Sequence, residues 1–299
     1  MKIISNIEQN EIGKKDISDI ASEDLQDYFN SLIYYSNSYM QKHIIQFSQA
    51  FNYAQNKGYI KLNPMADTYK PKSAKRDKKI RAMELEEQYS LTYYLKNKTI
   101  KEEPYKNVFL IQLYTGLRVG EVLALQAQDI DLKKNIIHVN KTLRRNAEDK
   151  IVMGDSTKTY AGIREVPIPE AILAEIKEQL EVAKNHFDKQ LFLSSTENYA
   201  DPRGINNILK RILIQNCDIK DITTHSLRHT FGTRCIESGM APVVVQRLMG
   251  HKDIQVTLNV YADVLNRFKE SELQKLDGYY EENGLINKLY ENGRLNDAR

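Results

Sequence analysis

Residues 222–261 read ITTHSLRHTFGTRCIESGMAPVVVQRLMGHKDIQVTLNVY, and the rest of the chain is organised around them. His225 and Arg228 are three positions apart, a spacing that places two side chains on one face of a helix. Pro242 suits the first turn of a further helix. His251 follows a glycine, and the stretch closes on a single tyrosine, Tyr261.

A second arginine, Arg118, lies far upstream in the run TGLRVGE at 115–121. The Thr-Gly pair breaks a helical pattern, so Arg118 is predicted near a helix start, where backbone N–H groups favour anions. Two arginines, two histidines and a tyrosine are what an enzyme without a metal would need to attack a phosphodiester. The arginines would hold the nonbridging oxygens, the histidines would manage protons and the tyrosine would be the nucleophile.

Each of these residues also has an ordinary structural interpretation when taken alone. Arg118 could be a surface arginine paired with the acid three residues on, and His225 could be structural. His229 is interpreted as a packed or capping histidine. Tyr261 is one of 18 tyrosines and differs from the others only by its position. The ordered set, rather than any single member, favours catalysis.

Length and composition indicate a globular protein of two domains. The chain has 299 residues, of which 41% are hydrophobic and 28% charged. Cys217 and Cys235 match no metal spacing, and so few cysteines suggest a reducing cytoplasm. No apolar run approaches the length of a membrane span, and the first residues lack the hydrophobic core of a signal peptide. We therefore expect a cytoplasmic protein.

The net charge of +3 is unevenly distributed along the chain. Residues 70–81 hold seven basic residues against one acid, between two periodic regions, and are predicted to form an interdomain linker. Such a run could be a solvated spacer. It could equally hold a polyanion, because each neutralised phosphate releases counterions. The predicted DNA-contacting residues are Lys70, Lys72, Lys75, Arg76, Lys78, Lys79 and Arg81.

The hydrophobic periodicity predicts a mainly α-helical chain with a small antiparallel β-sheet. Ser22 is the expected N-cap of the first strongly periodic helix, and Tyr53 is expected to be buried. Helices are predicted at 19–35, 36–57, 84–96, 103–114, 119–125, 170–185 and 206–214, around His225 and from 241. Strands are predicted at 136–139, 150–153 and 164–168, forming one sheet, with Lys158 in the turn segment 155–159.

The boxes at 115–125, 225–231 and 248–251 and the downstream Tyr261 closely resemble the signature of the tyrosine recombinase (phage integrase) family. The resemblance covers residues 83–265. Tyr261 lies ten residues after His251 and closes the run TLNVY. This spacing and context are most similar to those of integrases of conjugative transposons and related phages. The resemblance implies a helical core-type DNA-binding domain at 1–70, the basic linker at 71–82 and a mixed α/β catalytic domain with a helical tail at 83–299.

The resemblance also implies a mechanism and a set of roles. The enzyme would cleave and rejoin DNA through a covalent 3′-phosphotyrosine, without metal, ATP or cofactor, to integrate and excise a mobile element. Its expected partners are double-stranded DNA, further copies bound through the C-terminal tail on DNA, and an excisionase or DNA-bending protein. The implied residues are Arg118 and Arg228 as phosphate clamp, Glu121 as their support, Lys158 as general acid, His225 and His251 as the two histidines, and Tyr261 as nucleophile.

The N-terminal region departs from the family pattern. Residues 16–70 resemble the core-binding domain, and only about 15 residues precede them, where the family usually has a full helix. Either the chain is a fragment or its core-binding domain is reduced. Two other functions remain: a DNA-relaxing enzyme like the type IB topoisomerases, and a non-catalytic DNA-binding relic. The relic is disfavoured because all six expected positions hold competent residues. We expect a bacterial cytoplasmic protein that joins the nucleoid when on DNA.

Overall fold

A computed structural model of the chain describes residues 2–75, 80–155 and 162–284. The chain divides into two compact units, Met1–Lys79 and Ile80–Arg299. Four of the residues predicted to act in function lie outside the described ranges. These are Arg76, Lys78, Lys79 and Lys158.

The first unit is helical, as the periodicity predicts. Its helices are α1 (Lys2–Glu8), α2 (Ser22–Ser31) and α3 (Asn37–Asn56), with short 3₁₀ turns between and after them. Apolar side chains from α2 and α3 form its core, among them Leu25, Phe29, Met40 and Phe51. The Ser36 side chain caps α3 by accepting a hydrogen bond from the Tyr39 backbone N–H.

Two predictions for this unit need correction, and one helix was not predicted. Ser22 is not the N-cap of α2, because Ala21 occupies that position and its N–H donates to Asp24 at 3.0 Å. The Ser22 hydroxyl donates instead to the Pro64 carbonyl. Tyr53 is 59% exposed rather than buried. Helix α1 was not predicted, because two turns with one core contact, through Ile7, give no periodicity.

The described ends of the basic segment are packed on folded structure. In the first unit Pro71 is buried, and the Ala74 N–H donates to the Ile33 carbonyl at 2.8 Å. The side chains of Lys70, Lys72 and Lys75 remain exposed. In the second unit Arg81 forms two hydrogen bonds to Glu87, at 2.6 and 2.7 Å. Arg81 is therefore engaged by Glu87 within its own unit, whereas the three lysines have exposed side chains.

The second unit is built around a buried helix, α5. All but one residue of α5 are buried, and it packs along α9. A helix without a distinct polar face, in which even Lys106, Asn107 and Gln112 are buried, suits such a central place. The helices are α4 (Leu85–Lys96), α5 (Lys106–Thr115), α6 (Val119–Leu123), α7 (Leu173–Ala183), α8 (Pro202–Asn216), α9 (Thr224–Glu237), α10 (Pro242–Met249) and α11 (Ile254–Glu282).

Two small antiparallel sheets lie between α6 and α7 in the sequence. The first has the order β1 (Ile130–Asp131), β2 (Ile136–Val139) and β5 (Arg164–Pro167). The second pairs β3 (Lys141–Arg145) with β4 (Ile151–Asp155). The prediction that the strand at 150–153 joins the others in one sheet is therefore wrong. Strand β3 was missed because its sequence, KTLRR, has one apolar residue and no alternation.

A separate apolar cluster joins the last three helices. It consists of buried side chains of α9, α10 and α11, including Cys235, Val245, Met249 and Val260. Tyr261 and Phe231 pack against this cluster. Within the described ranges, no helix is both long and apolar enough to cross a membrane.

Candidate active site

Two helices of the second unit end at a glycine with a left-handed backbone conformation, and Arg228 forms a hydrogen bond to each helix end. Helix α5 ends at Gly116, with φ of 68°, and α10 ends at Gly250, with φ of 62°. Glycine adopts this conformation without steric cost. A Cβ on Gly116 would also lie 2.3 Å from the ring of Phe231. The sequence thus holds the two helix ends in a fixed geometry.

Arg228 is the most deeply buried cation of the site, with 2% of its surface exposed. Its Nη1 donates to the Gly116 carbonyl at 2.6 Å and its Nη2 donates to the Met249 carbonyl. Burial, together with the nearby charge of Arg118, lowers the pKa of Arg228 to about 9. The guanidinium therefore remains charged at neutral pH.

Arg118 occupies the N-cap of α6, where the Thr-Gly break predicts a helix start. Its Nη1 contacts Glu121 Oε1 at 2.8 Å, and its Nη2 donates to the Gly250 carbonyl at 3.1 Å. Its backbone N–H donates to Glu121 Oε2, as in a capping box. About half of the side chain, 45%, is exposed. Arg118 is thus held by hydrogen bonds to Glu121 and Gly250, while part of its side chain remains accessible to solvent.

Glu121 binds a further arginine that sequence reasoning missed, Arg164 at the start of β5. Arg164 Nη2 and Nη1 donate to the two carboxylate oxygens at 2.8 and 3.2 Å. Burial alone would raise the pKa of Glu121, but hydrogen bonds and charge from Arg164, aided by Arg118, hold it below its usual value. No motif marks Arg164, because an arginine at a strand start has no chemical pattern of its own.

The C-terminal turn of α10 brings these arginines together. The N–H groups of Gly250 and His251 bond back to Arg247 and Gln246, the pattern of a Schellman motif. That motif leaves the next three carbonyls of the helix end without intrahelical partners. The carbonyl of Leu248 accepts from Arg164, that of Met249 from Arg228 and that of Gly250 from Arg118.

Both histidines of the predicted set are held in the neutral form. His225 lies in the first turn of α9, and its pKa is lowered by partial desolvation and by the charges of Arg228, His229 and Arg118. Burial and the same two arginines lower the pKa of His251 to about 4. Each imidazole is therefore mostly neutral at neutral pH, and neither adds a full positive charge to the arginine cluster.

Tyr261 is connected to this cluster through its own helix. His251 Nδ1 lies 2.9 Å from the Thr257 hydroxyl, and Thr257 is on α11 four residues before Tyr261, hence on the same face. The Tyr261 ring is partly buried against the cluster shared by α9, α10 and α11. Arg118 and Glu121 are thus in direct contact, Arg118 and Arg228 bind the turn that leads into His251, and Tyr261 lies on the adjacent helix.

No site for a metal ion is formed by the part of the chain that the structure describes, where no three His, Cys, Asp or Glu side chains are grouped suitably.

Comparison with known proteins gives a family and several relatives. The phage integrase family model matches residues 81–267. A XerC-like tyrosine recombinase of Caldanaerobacter subterraneus is 27% identical over 296 residues, covering 92% of this chain and 75% of that protein. The transposase of transposon Tn916 from Enterococcus faecalis is 32% identical over 59% of this chain. The chain spans 46% of that transposase, about half its length.

Solved structures show the same fold. The integrase of transposon Tn1549, in complex with transposon right end DNA, superposes with a TM-score of 0.76. The superposition covers 92% of this chain and 91% of the Tn1549 integrase chain, at 22% sequence identity. The family model covers more than half of the present sequence and includes every residue of the site described above. The chain therefore belongs to the phage integrase family of tyrosine recombinases.

Proposed function

We propose that this chain is a site-specific DNA recombinase that cleaves and rejoins DNA through a covalent 3′-phosphotyrosine at Tyr261. The observation that carries the proposal is the shared anchoring of Arg118 and Arg228 on the turn that ends at His251. Family membership and relatives from transposons and a phage support integration and excision of a mobile element as the outcome.

Arg118 and Arg228 would bind the scissile phosphate. In the transition state, negative charge accumulates on the nonbridging oxygens, where guanidinium groups are strong hydrogen-bond donors. Losing one such preorganised donor typically costs about 3–4 kcal/mol of transition-state stabilisation. Glu121 would keep Arg118 oriented, because its carboxylate contacts both the side chain and the backbone N–H of that residue.

The histidines would manage protons around the attack. A free tyrosine has a pKa of about 10, so Tyr261 needs a base as its oxygen attacks phosphorus. Neutral His225 is the candidate base. The Thr257 hydroxyl can donate to His251 Nδ1, which leaves the other ring nitrogen as a donor toward a nonbridging oxygen.

In the cleavage step, one bond to phosphorus forms as another breaks, and the proton that Tyr261 loses is matched by one that the leaving oxygen gains. The phosphorus–tyrosine bond forms, the bond to the 5′ oxygen breaks, and that oxygen takes a proton. The family resemblance gives the donor role to Lys158, which lies outside the described residues. The 5′ hydroxyl of another strand then attacks the phosphotyrosine and releases Tyr261, so rejoining needs no ATP.

Exchange between two duplexes requires more than one copy of the enzyme. The tail of α11, which continues to Glu282, is our candidate for docking on a neighbouring copy, giving dimers to tetramers on DNA. An excisionase or DNA-bending protein would set direction. We propose that Lys70, Lys72 and Lys75, with Arg76, Lys78 and Lys79, contact DNA phosphates. We leave Arg81 out of this set because Glu87 binds it. The setting would be the bacterial cytoplasm, on the nucleoid.

A suicide substrate nicked beside the cleavage site tests the proposal. Wild-type protein should form a covalent protein–DNA adduct, and Tyr261→Phe should form none. Tyr89→Phe, a change to an exposed tyrosine on α4, is the matched control and should react like wild type. Sealing of strands from two different duplexes would distinguish recombination from DNA relaxation. An adduct that persists in Tyr261→Phe would reject this nucleophile.

A further inference from the structure

We infer that Arg164 is a positioning residue for DNA cleavage, acting through Arg118; this inference rests on the recombinase function proposed above. Only 6% of the Arg164 side chain is exposed. Its donors go to the Glu121 carboxylate and to the backbone carbonyls of Leu248 and Gly162. A buried guanidinium with these partners is placed to organise the site rather than to bind DNA.

The first route to Arg118 runs through Glu121. The Glu121 side chain is 1% exposed, and its two oxygens are shared between Arg164 and Arg118. A buried carboxylate is costly unless cations and hydrogen bonds compensate it. Without Arg164, the carboxylate would draw the Arg118 guanidinium further onto itself. Arg118 would then be less available to a phosphate on its exposed side.

The second route runs through the end of α10. Arg164 Nε donates to the Leu248 carbonyl at 2.7 Å, and Arg118 Nη2 donates to the Gly250 carbonyl two residues on. Fixing the first of these carbonyls limits the movement of the second. Both routes therefore end at the same guanidinium. A displacement of about 1 Å at a reacting group can lower a rate about a hundredfold.

A matched control is available in the same unit. Arg211 on α8 forms an ion pair with Glu103 at 2.8 Å, with the same guanidinium–carboxylate chemistry. Helix α8 carries none of the proposed catalytic residues. Arg211→Gln therefore removes an arginine–glutamate pair of the unit without touching the path to Arg118.

The test is a double-mutant cycle on single-turnover cleavage of the suicide substrate. Arg164→Gln and Arg164→Lys should each slow cleavage by at least about tenfold, while affinity for DNA changes by less than about twofold. In an Arg118→Lys background the same changes should slow cleavage by less than about threefold, because the pathway already lacks its end point. Arg211→Gln should cleave like wild type in both backgrounds.

Two results would overturn the inference. One is an equal loss of rate from Arg164 changes in both Arg118 backgrounds, which a general structural role would give. The other is a wild-type rate for folded Arg164→Lys, which keeps the charge but not the forked geometry. Arg164→Lys also decides the question if Arg164→Gln does not fold. Absence of adduct from the wild-type protein would instead reject the proposed function.

Discussion

Arg118 and Arg228 differ in burial, and this difference separates their expected effects. Arg118→Ala should slow cleavage by about a hundredfold and change stability little, since about half of its side chain, 45%, is exposed. Arg228→Ala should slow cleavage comparably and also lower the free energy of unfolding by about 3 kcal/mol, because it leaves a cavity and two carbonyls unpaired. Single-turnover cleavage and urea denaturation measure the two effects. Equal loss of stability in both variants would contradict this assignment.

The lowered pKa of His225 predicts the pH dependence of cleavage. A base with an ordinary histidine pKa would be half protonated at about pH 6.5. Because the pKa of His225 lies below that value, half-maximal cleavage should occur below about pH 6.5. The unfolded chain binds the proton first, so stability also falls as pH drops below about 6.5. Cleavage rates between pH 5 and 8 are the measurement, and half-maximal cleavage at or above about pH 6.5 would argue against His225 as the base.

At this scale, sequence reasoning found the residues that occur in motifs and missed the one that does not. The structure brings Arg118, Glu121, Arg228 and His251 together around the end of α10, although their roles stay predictions. Arg164 could not be found from local pattern. Its partners Glu121 and Leu248 are 43 and 84 positions away in the chain, and only folding brings them to it.

At the scale of elements, the end of α5 should be unusually intolerant of a methyl group. Gly116→Ala meets two penalties: about 1–2 kcal/mol for the left-handed backbone, and a further 1–3 kcal/mol, roughly, for overlap with Phe231. Gly239 has φ of 83° but nothing within 4 Å of a Cβ. Gly239→Ala should therefore show the backbone cost alone. Urea denaturation of both variants compares them, and equal losses would mean that Phe231 moves aside freely.

The elements themselves were predicted where the apolar period was long. Helices α3 and α4 match their predicted ranges within one residue at each end, because both combine a continuous pattern with clear ends. Elements that depend on tertiary partners were not predicted, namely α1, β1 and β3. Strand β3 buries Leu143 and is otherwise polar, so its partner β4 rather than its own sequence makes it a strand.

At the scale of the whole molecule, charge on the segment between the units should govern how firmly DNA is held. Lys72→Gln/Lys75→Gln should weaken binding about equally on specific and random DNA and reduce the salt slope by roughly one unit per lost phosphate contact. Cleavage of DNA already bound should be nearly unchanged. Lys98→Gln/Lys184→Gln removes the same net charge from lysines that pair with acids, and serves as the control. An unchanged salt slope in the Lys72→Gln/Lys75→Gln variant would mean that these lysines do not contact DNA and that the segment is only a solvated spacer.

The division into a helical unit and a larger mixed unit could be anticipated from the change of hydrophobic period and the basic run. The path of the basic segment could not. Its described residues are tied to the first unit by the Ala74 backbone bond to Ile33 and to the second by the Arg81 side chain on Glu87, which no composition rule indicates.

The three arginines bind backbone carbonyls at the end of α10 rather than side chains. The number of residues in this turn should therefore be more strictly constrained than their identity. Leu248, Met249 and Gly250 offer backbone oxygens, so replacing a side chain there removes none of the acceptors. Deleting or inserting one residue would rotate the following carbonyls by about 100° and change which arginine each one meets. Any single-residue insertion or deletion at positions 248–250 should therefore abolish cleavage. Conservative apolar substitutions of Leu248 should be tolerated. A scan that compares the cleavage rates of both kinds of variant is the test.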